Sequence, residues 1–274
     1  YLEQGNYSDP GNPEPITYST NPADGADVTF QIADFTHTLH GNSDNDNVYI
    51  RFYPSLGDAQ AAAAGAVSHI LDDRYIVEID GTNLYVPANL GGIQAAVDAA
   101  TAGDLINIDA GTFEEQVVIE KDISLLGAGA GSTVLQSPAT LTAFFATSNN
   151  NYPIILVQNT AAPVIDGMTI DGLGRGNANY RFVGIGFWNA GGTVSNAHIT
   201  GIVNTPFSGQ QHGNGIYSYN NTGGPYTINV TGVSVDMFQK NGLTLLGEGL
   251  TVNISGCTVT GIGVTTITAQ NGIQ

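Results

Sequence analysis

The chain has 274 residues, of which only 11% are charged, with a formal net charge of −18 and six basic residues in total. That balance excludes a polyanionic nucleic acid as partner, and no apolar run reaches the roughly 18–20 residues of a membrane span. Hydrophobic residues make up 42%, enough to bury a core, so the chain reads as folded and not as a disordered acidic tail.

Residues 1–82 read as an irregular N-terminal α/β segment. Pro10, Pro13, Pro15 and Pro22 argue for an extended arm. Asp27–Asp34 alternates with period two and predicts a strand. Asn42-Ser-Asp-Asn-Asp-Asn47 is a run of short oxygen-bearing side chains. Two readings stand for it: a calcium loop that uses Asp44 and Asp46, or a polar turn before the strand Val48–Phe52. Asp58–Leu71, with its alanine run, predicts a helix, and Arg74–Ile79 a strand.

A second helix is expected at Gly92–Ala100, where Ile93, Ala96, Val97 and Ala100 share one face. Short strands follow at Asp104–Asp109, Gln116–Ile119 and Ile123–Leu126. One motif then recurs four times: Ile165-Asp-Gly-Met-Thr-Ile-Asp-Gly172, Val194-Ser-Asn-Ala-His-Ile-Thr-Gly201, Val230-Thr-Gly-Val-Ser-Val-Asp-Met237 and Ile254-Ser-Gly-Cys-Thr-Val-Thr-Gly261. Unequal spacing between the copies means loops of variable length between matched strands, the signature of a solenoid. Alternation puts Met168, Ala197, Val233 and Cys257 in one inward column and Ile170, Ile199, Val235 and Val259 in another. Cys257, the one cysteine, makes no internal disulfide and reads as a small buried hydrophobe. Asp171, His198 and Asp236 then face outward.

A second repeat runs through Val183-Gly-Ile, Asn214-Gly-Ile, Asn241-Gly-Leu and Asn271-Gly-Ile. Its asparagines are expected to stack from one coil to the next, with their side-chain amides satisfying turn backbone. Ile185, Ile216, Leu243 and Ile273 point inward. Trp188, Tyr217 and Tyr219 point outward as an aromatic stripe. That stripe either stacks against sugar rings or is covered, by the loops 174–182 and 204–213 or by a neighbouring subunit.

Residues 93–129 carry a resemblance. Ile93-Gln-Ala-Ala-Val-Asp-Ala-Ala100, Ala102-Gly-Asp-Leu-Ile-Asn-Ile108, Ala110-Gly-Thr-Phe-Glu-Glu115 and Ile123-Ser-Leu-Leu-Gly-Ala-Gly129 resemble the opening of a right-handed parallel β-helix of the pectin-lyase-like superfamily, in its secreted repeat proteins. The resemblance covers roughly residues 83–274. It implies an all-β solenoid, three short parallel strands per coil, and a short helix that covers the N-terminal end. It does not imply a reaction, because that superfamily holds enzymes of several classes and many non-enzymes.

Asp171, Arg175, Arg181, His198, His212 and Asp236 are the polar residues that a groove would use. No paired-carboxylate motif of a glycoside hydrolase stands among them. The sequons at Asn6, Asn220, Asn229 and Asn253 are candidate glycosylation sites on a secretory route. The expected function is that of an extracellular or cell-surface structural protein, self-associating head-to-tail through an uncapped C-terminal coil, without a cofactor unless calcium binds. A carbohydrate-active enzyme (a uronate lyase or epimerase) or a glycan-binding module acting on polysaccharide is the alternative.

Overall fold

From Leu105 to Ile273 the chain repeats one operation six times: a short strand in each of three sheets, then a return to the first. The computed structural model describes residues 92–159 and 161–274 in full. Before them it describes Val86 and the backbone of the strands Glu3–Gln4, Glu14–Pro15, Val28–Ile32, Phe35–Leu39, Ile50–Phe52, Ile70–Leu71, Arg74–Tyr75, Val77–Ile79 and Asn83–Val86. The first coil comprises Leu105–Ile108, Gly111–Glu114 and Val117–Ile119; the last comprises Leu250–Ser255, Thr258–Thr260 and Asn271–Ile273. Each strand pairs in parallel with its counterpart one coil later. The arrangement is an all-β parallel solenoid with one helix among the described residues.

The turn from first to second sheet explains the repeated motif. Its Gly or Asn position is Gly167, Asn196, Gly232 or Gly256, with φ of 67°, 48°, 63° and 61°. Left-handed backbone is cheap for glycine and tolerable for asparagine, and costly for other residues. The strand after each turn then starts in the same phase. Met168, Ala197, Val233, Ile170, Ile199 and Val235 are all at most 2% exposed. Cys257 and Val259 occupy the same columns in the last coil and are half-buried, since that coil has a neighbour on one side only.

The interior is narrow where the second and third sheets meet. Gly184, Gly215, Gly242 and Gly272 each follow an aligned residue of the third sheet, namely Val183, Asn214, Asn241 and Asn271. A Cβ at Gly184 would lie 2.5 Å from the Gly215 carbonyl oxygen and 2.8 Å from Ile199 Cγ2. At Gly215 it would lie 2.5 Å from Val235 Cγ1 and 2.7 Å from the Gly242 oxygen. Gly242 meets Val259 and the Gly272 oxygen in the same way. The glycines let one coil's aliphatic side chain and the next coil's backbone share a space that a methyl group would fill. The expected stack holds in part: Asn241 and Asn271 bond directly, whereas Asn214 and Asn241 are joined through Thr244. Asn271 Nδ2 donates to Asn241 Oδ1 (2.9 Å), Asn241 Nδ2 to Thr244 Oγ1 (2.7 Å), and Thr244 Oγ1 to Asn214 Oδ1 (3.2 Å). These bonds join side chain to side chain.

The helix is Ile93–Ala99, close to the expected span. Ile93, Ala95, Ala96 and Val97 enter the same core as the coil interior. Its ends are held from a distance. The Glu115 carboxylate accepts from the N–H groups of Ile93 (2.7 Å) and Gln94 (2.9 Å). Lys121 Nζ donates to the carbonyls of Val97, Asp98 and Ala100 at 2.7–3.0 Å. Anion at the start and cation at the end both complement the helix dipole.

The first sheet runs past residue 83. Asn83–Val86 pairs in parallel with Leu105–Ile108, Val77–Ile79 joins it antiparallel, and Ile50–Phe52 follows. Two sequence expectations need correction here. Ile70–Leu71, the end of the expected Asp58–Leu71 helix, is a strand paired antiparallel with Arg74–Tyr75, and residues 58–69 lie outside the described residues. The single strand expected at Arg74–Ile79 is two, Arg74–Tyr75 and Val77–Ile79, with different partners. Val28–Ile32 is a strand as expected, and it pairs with Phe35–Leu39.

The glycine column predicts a contrast. Gly215→Ala should lower stability by about 1–3 kcal/mol, the usual cost of an extra methyl group in a filled interior. Gly272→Ala, whose Cβ would find only Val259 at 3.8 Å, should cost less than about 0.5 kcal/mol. Urea denaturation of the two variants measures the difference.

Candidate functional site

The outer face of the second sheet holds three of the expected polar residues. Register places Gln136, Asp171, Thr200, Asp236 and Thr260 in one column. His198 Nε2 lies 3.0 Å from Asp236 Oδ2, and Thr200 Oγ1 donates to Asp236 Oδ1 at 2.5 Å. Asp171 turns toward its own loop and accepts from the Leu173 N–H at 2.8 Å. His198 and Asp236 side chains are 34% and 41% exposed, so the pair is wet and worth little. A carboxylate held between a threonine and a histidine on the same face ties two coils together.

The loops between the second and third sheets hold the other three. Arg175 pairs with Glu114 Oε1 at 3.0 Å and also donates to the Ser137 carbonyl. Arg181, at φ 59°, donates from Nη1 to Thr147 Oγ1 and from Nη2 to Ser148 Oγ, both at 2.6 Å; its buried Nε has no hydrogen-bond partner among the described residues. His212 meets the Tyr180 ring edge-on at 4.9 Å. Burial first, and the Arg181 charge second, hold its pKa below the ordinary 6.5. Among the described residues no hydrogen bond or ion pair joins Arg181 or His212 to Asp171, His198 or Asp236. The six residues expected in one groove therefore divide between a sheet face and a loop cluster.

Neither of two cavities lined by described residues suits acid–base chemistry. The one lined by Tyr180, Arg181, His212 and Gln239 measures about 10 Å³, room for a single water and not for a sugar. A larger depression of about 390 Å³ sits at the last coil, lined by Phe238, Val259, Val264 and Gln270 among others, with no acid or base in its lining. Among the described residues no three His, Cys, Asp or Glu side chains gather as metal ligands. Asp44 and Asp46 lie outside the described residues, as does Asn6. No described helix is long and apolar enough to cross a membrane.

The aromatic stripe is where structure and sequence differ most. Trp188, Tyr219 and Leu246 are in register on the outer face of the third sheet, as expected. Tyr217 is only 9% exposed. The cover is Phe145, on the short strand Phe145–Ala146 that pairs antiparallel with the start of Asn150–Gln158. The Phe145 ring stacks on Tyr217 (6.1 Å, 14°) and on Trp188 (5.7 Å, 16°). Gly186, in register with Tyr217, leaves room for it. Phe145, Leu156, Val183 and Tyr217 form a second apolar cluster outside the coil, with Trp188 and Tyr219 packed at its border. Burial lifts the Tyr217 pKa above 10.0, against the opposing pull of the Thr147 hydrogen bond and the Arg181 charge. The signal for this cover was the pair Phe144-Phe145 in an otherwise polar loop.

The glycosylation candidates divide as well. Asn220 is 3% exposed, and its amide exchanges hydrogen bonds with the Ala190 backbone at 3.2 and 3.3 Å. A glycan cannot sit there on the folded chain, which corrects that expectation. Asn253 is exposed and donates to Asn229 Oδ1 at 2.9 Å; Asn229 in turn donates to Thr193 Oγ1 at 3.3 Å. The Cys257 thiol is half-buried and lies 3.3 Å from the carbonyls of Val230 and Ser255.

Comparison with known proteins adds no relative: no family model, curated protein or solved structure matches the chain.

The His212 environment gives a signed expectation. Its neutral form is favoured in the folded chain, so the unfolded chain binds more protons below pH 6.5. Stability from this group is full above that pH and falls as pH drops toward the folded pKa. Arg181→Gln removes the smaller cause, so the His212 midpoint should rise yet stay below 6.5. Proton NMR titration of the imidazole reads it; an unmoved midpoint would mean that the Arg181 charge is not felt there.

Proposed function

We propose that the chain is a structural solenoid of an extracellular or cell-surface protein, a right-handed parallel β-helix of the pectin-lyase-like type whose coils act as a scaffold. One observation carries this reading: outward polar side chains are bonded along the stack of coils instead of converging on a cleft. Asp236 is held by His198 and Thr200, Asp166 by Ser195 (2.5 Å) and Asn196 (2.8 Å), and Asn253 by Asn229. A general acid or base must reach a substrate proton, and a carboxylate already bonded to neighbouring coils is badly placed for it. Right-handedness follows the strong rule for connections between parallel strands of one sheet. The acidic, lysine-poor composition suits a medium outside the cell.

Self-association belongs to the same proposal. Strands repeated in parallel register along one axis are a geometry that head-to-tail contacts between copies can continue, and such contacts build filaments when they do not close.

Two measurements on the 274-residue chain test the reading. Incubation with polygalacturonate or alginate in the presence of calcium should produce no ultraviolet-absorbing unsaturated uronate and no new reducing ends. Product from either substrate would retire the scaffold. Sedimentation velocity over a wide concentration range should show species larger than the monomer; a strict monomer at the highest concentration would remove self-association.

A further inference from the structure

The outer face of the third sheet is only partly closed. Phe145 covers Tyr217 and one side of Trp188, yet Trp188 and Tyr219 stay half-exposed and Leu246 is 44% exposed. The three follow one another in register over three successive coils, so they span about 10 Å at the usual strand spacing. Two partly exposed rings side by side at that spacing form a platform about two pyranose rings long. Phe145 stands as a wall on one flank, and the hairpin that bears it is latched by Arg181 to Thr147 and Ser148.

The surroundings select among occupants. Gln158 is in register with Trp188 and donates to Glu120 Oε1 at 2.6 Å, so a carboxylate lies one strand beyond Gln158 on that side of the platform. Glu248 stands two residues beyond Leu246, at the other end. Among the described residues the ion pairs lie elsewhere, at Arg175–Glu114 and His198–Asp236. Lys121 is engaged with the helix carbonyls, and Arg181 with the hairpin hydroxyls. Among the described residues no cation is bonded to Glu120 or Glu248, and two such carboxylates repel a polyuronate. An uncharged pyranose chain offers apolar C–H faces for the rings and hydroxyls for the flanking amides and carboxylates.

We propose that Trp188, Tyr219 and Leu246, walled by Phe145, form a binding platform for an uncharged glycan. The platform goes beyond the scaffold reading: a solenoid without a reaction centre can still carry it, and its loss would leave the scaffold intact.

Trp188 is the one tryptophan of the chain, so its emission reports on the platform directly. The probes are xyloglucan and mixed-linkage β-glucan as neutral chains and polygalacturonate as the acidic one. The neutral probes should shift the emission to the blue and retard the protein in affinity gels, and polygalacturonate should do neither. Tyr219→Ala should weaken neutral-glycan binding at least about tenfold in a chain whose circular dichroism shows the fold retained, while Tyr219→Phe, which keeps the ring, should bind like the parent. Three results would overturn the proposal: silence with both neutral glycans, polygalacturonate binding as tight as theirs, or a blue shift that appears with protein concentration alone, which would give the face to a second copy.

Discussion

Everything in the coil depends on how closely the second and third sheets approach. Ile199, Val235 and Val259 of the second sheet press against Gly184, Gly215 and Gly242 of the third, and each glycine also receives the backbone of the next coil. A methyl group at any of these three positions would meet atoms well inside contact distance. Close approach lets Ile185, Ile216 and Leu243 reach full burial next to them. Each such side chain contributes about 1.5–3 kcal/mol when taken out of water. The constraint repeats from coil to coil, so stability accumulates along the stack, with each coil depending on its neighbours.

The same repetition governs the polar residues. A polar side chain in register with a polar counterpart one coil away has a candidate partner close by. Asn241 and Asn271 exploit this on the third sheet, Thr193, Asn229 and Asn253 on the first, and Thr200 and Asp236 on the second. A chain with few charges can therefore hold many outward polar groups in fixed positions. The six polar residues expected in a groove follow this logic in part. Asp236 and His198 join the stack, whereas Arg175 and Arg181 fasten loops to it.

Legibility in the sequence tracks periodicity. The inward columns, the left-handed turn residues Gly167, Asn196, Gly232 and Gly256, and the asparagine stack all recur with the coil, and each could be read from aligned copies. The helix Ile93–Ala99 was legible from its apolar face, but Glu115 and Lys121 at its ends were not, because each lies more than 20 residues away on a strand edge or turn. Phe145 was missed for a related reason. It occurs once, in a loop with no counterpart in other coils, and it meets Trp188 only because the strand Asn150–Gln158 turns the hairpin back over the third sheet. Loop placement likewise separated Arg181 and His212 from Asp171 and Asp236, since nothing periodic specifies where the long loops lie.

The most direct measurement of the central claim is amide hydrogen exchange of the parent chain and of Gly215→Ala, followed peptide by peptide. A methyl group at Gly215 pushes apart the coils that hold Phe182–Trp188, Asn214–Asn220 and Asn241–Gly247. Protection should fall in those three strands and persist in Val117–Ile119 and in the helix Ile93–Ala99, as expected when stability is set between neighbours. Unchanged protection at Asn214–Asn220 would contradict the account, because the interior would then have room for the side chain that the glycine column excludes.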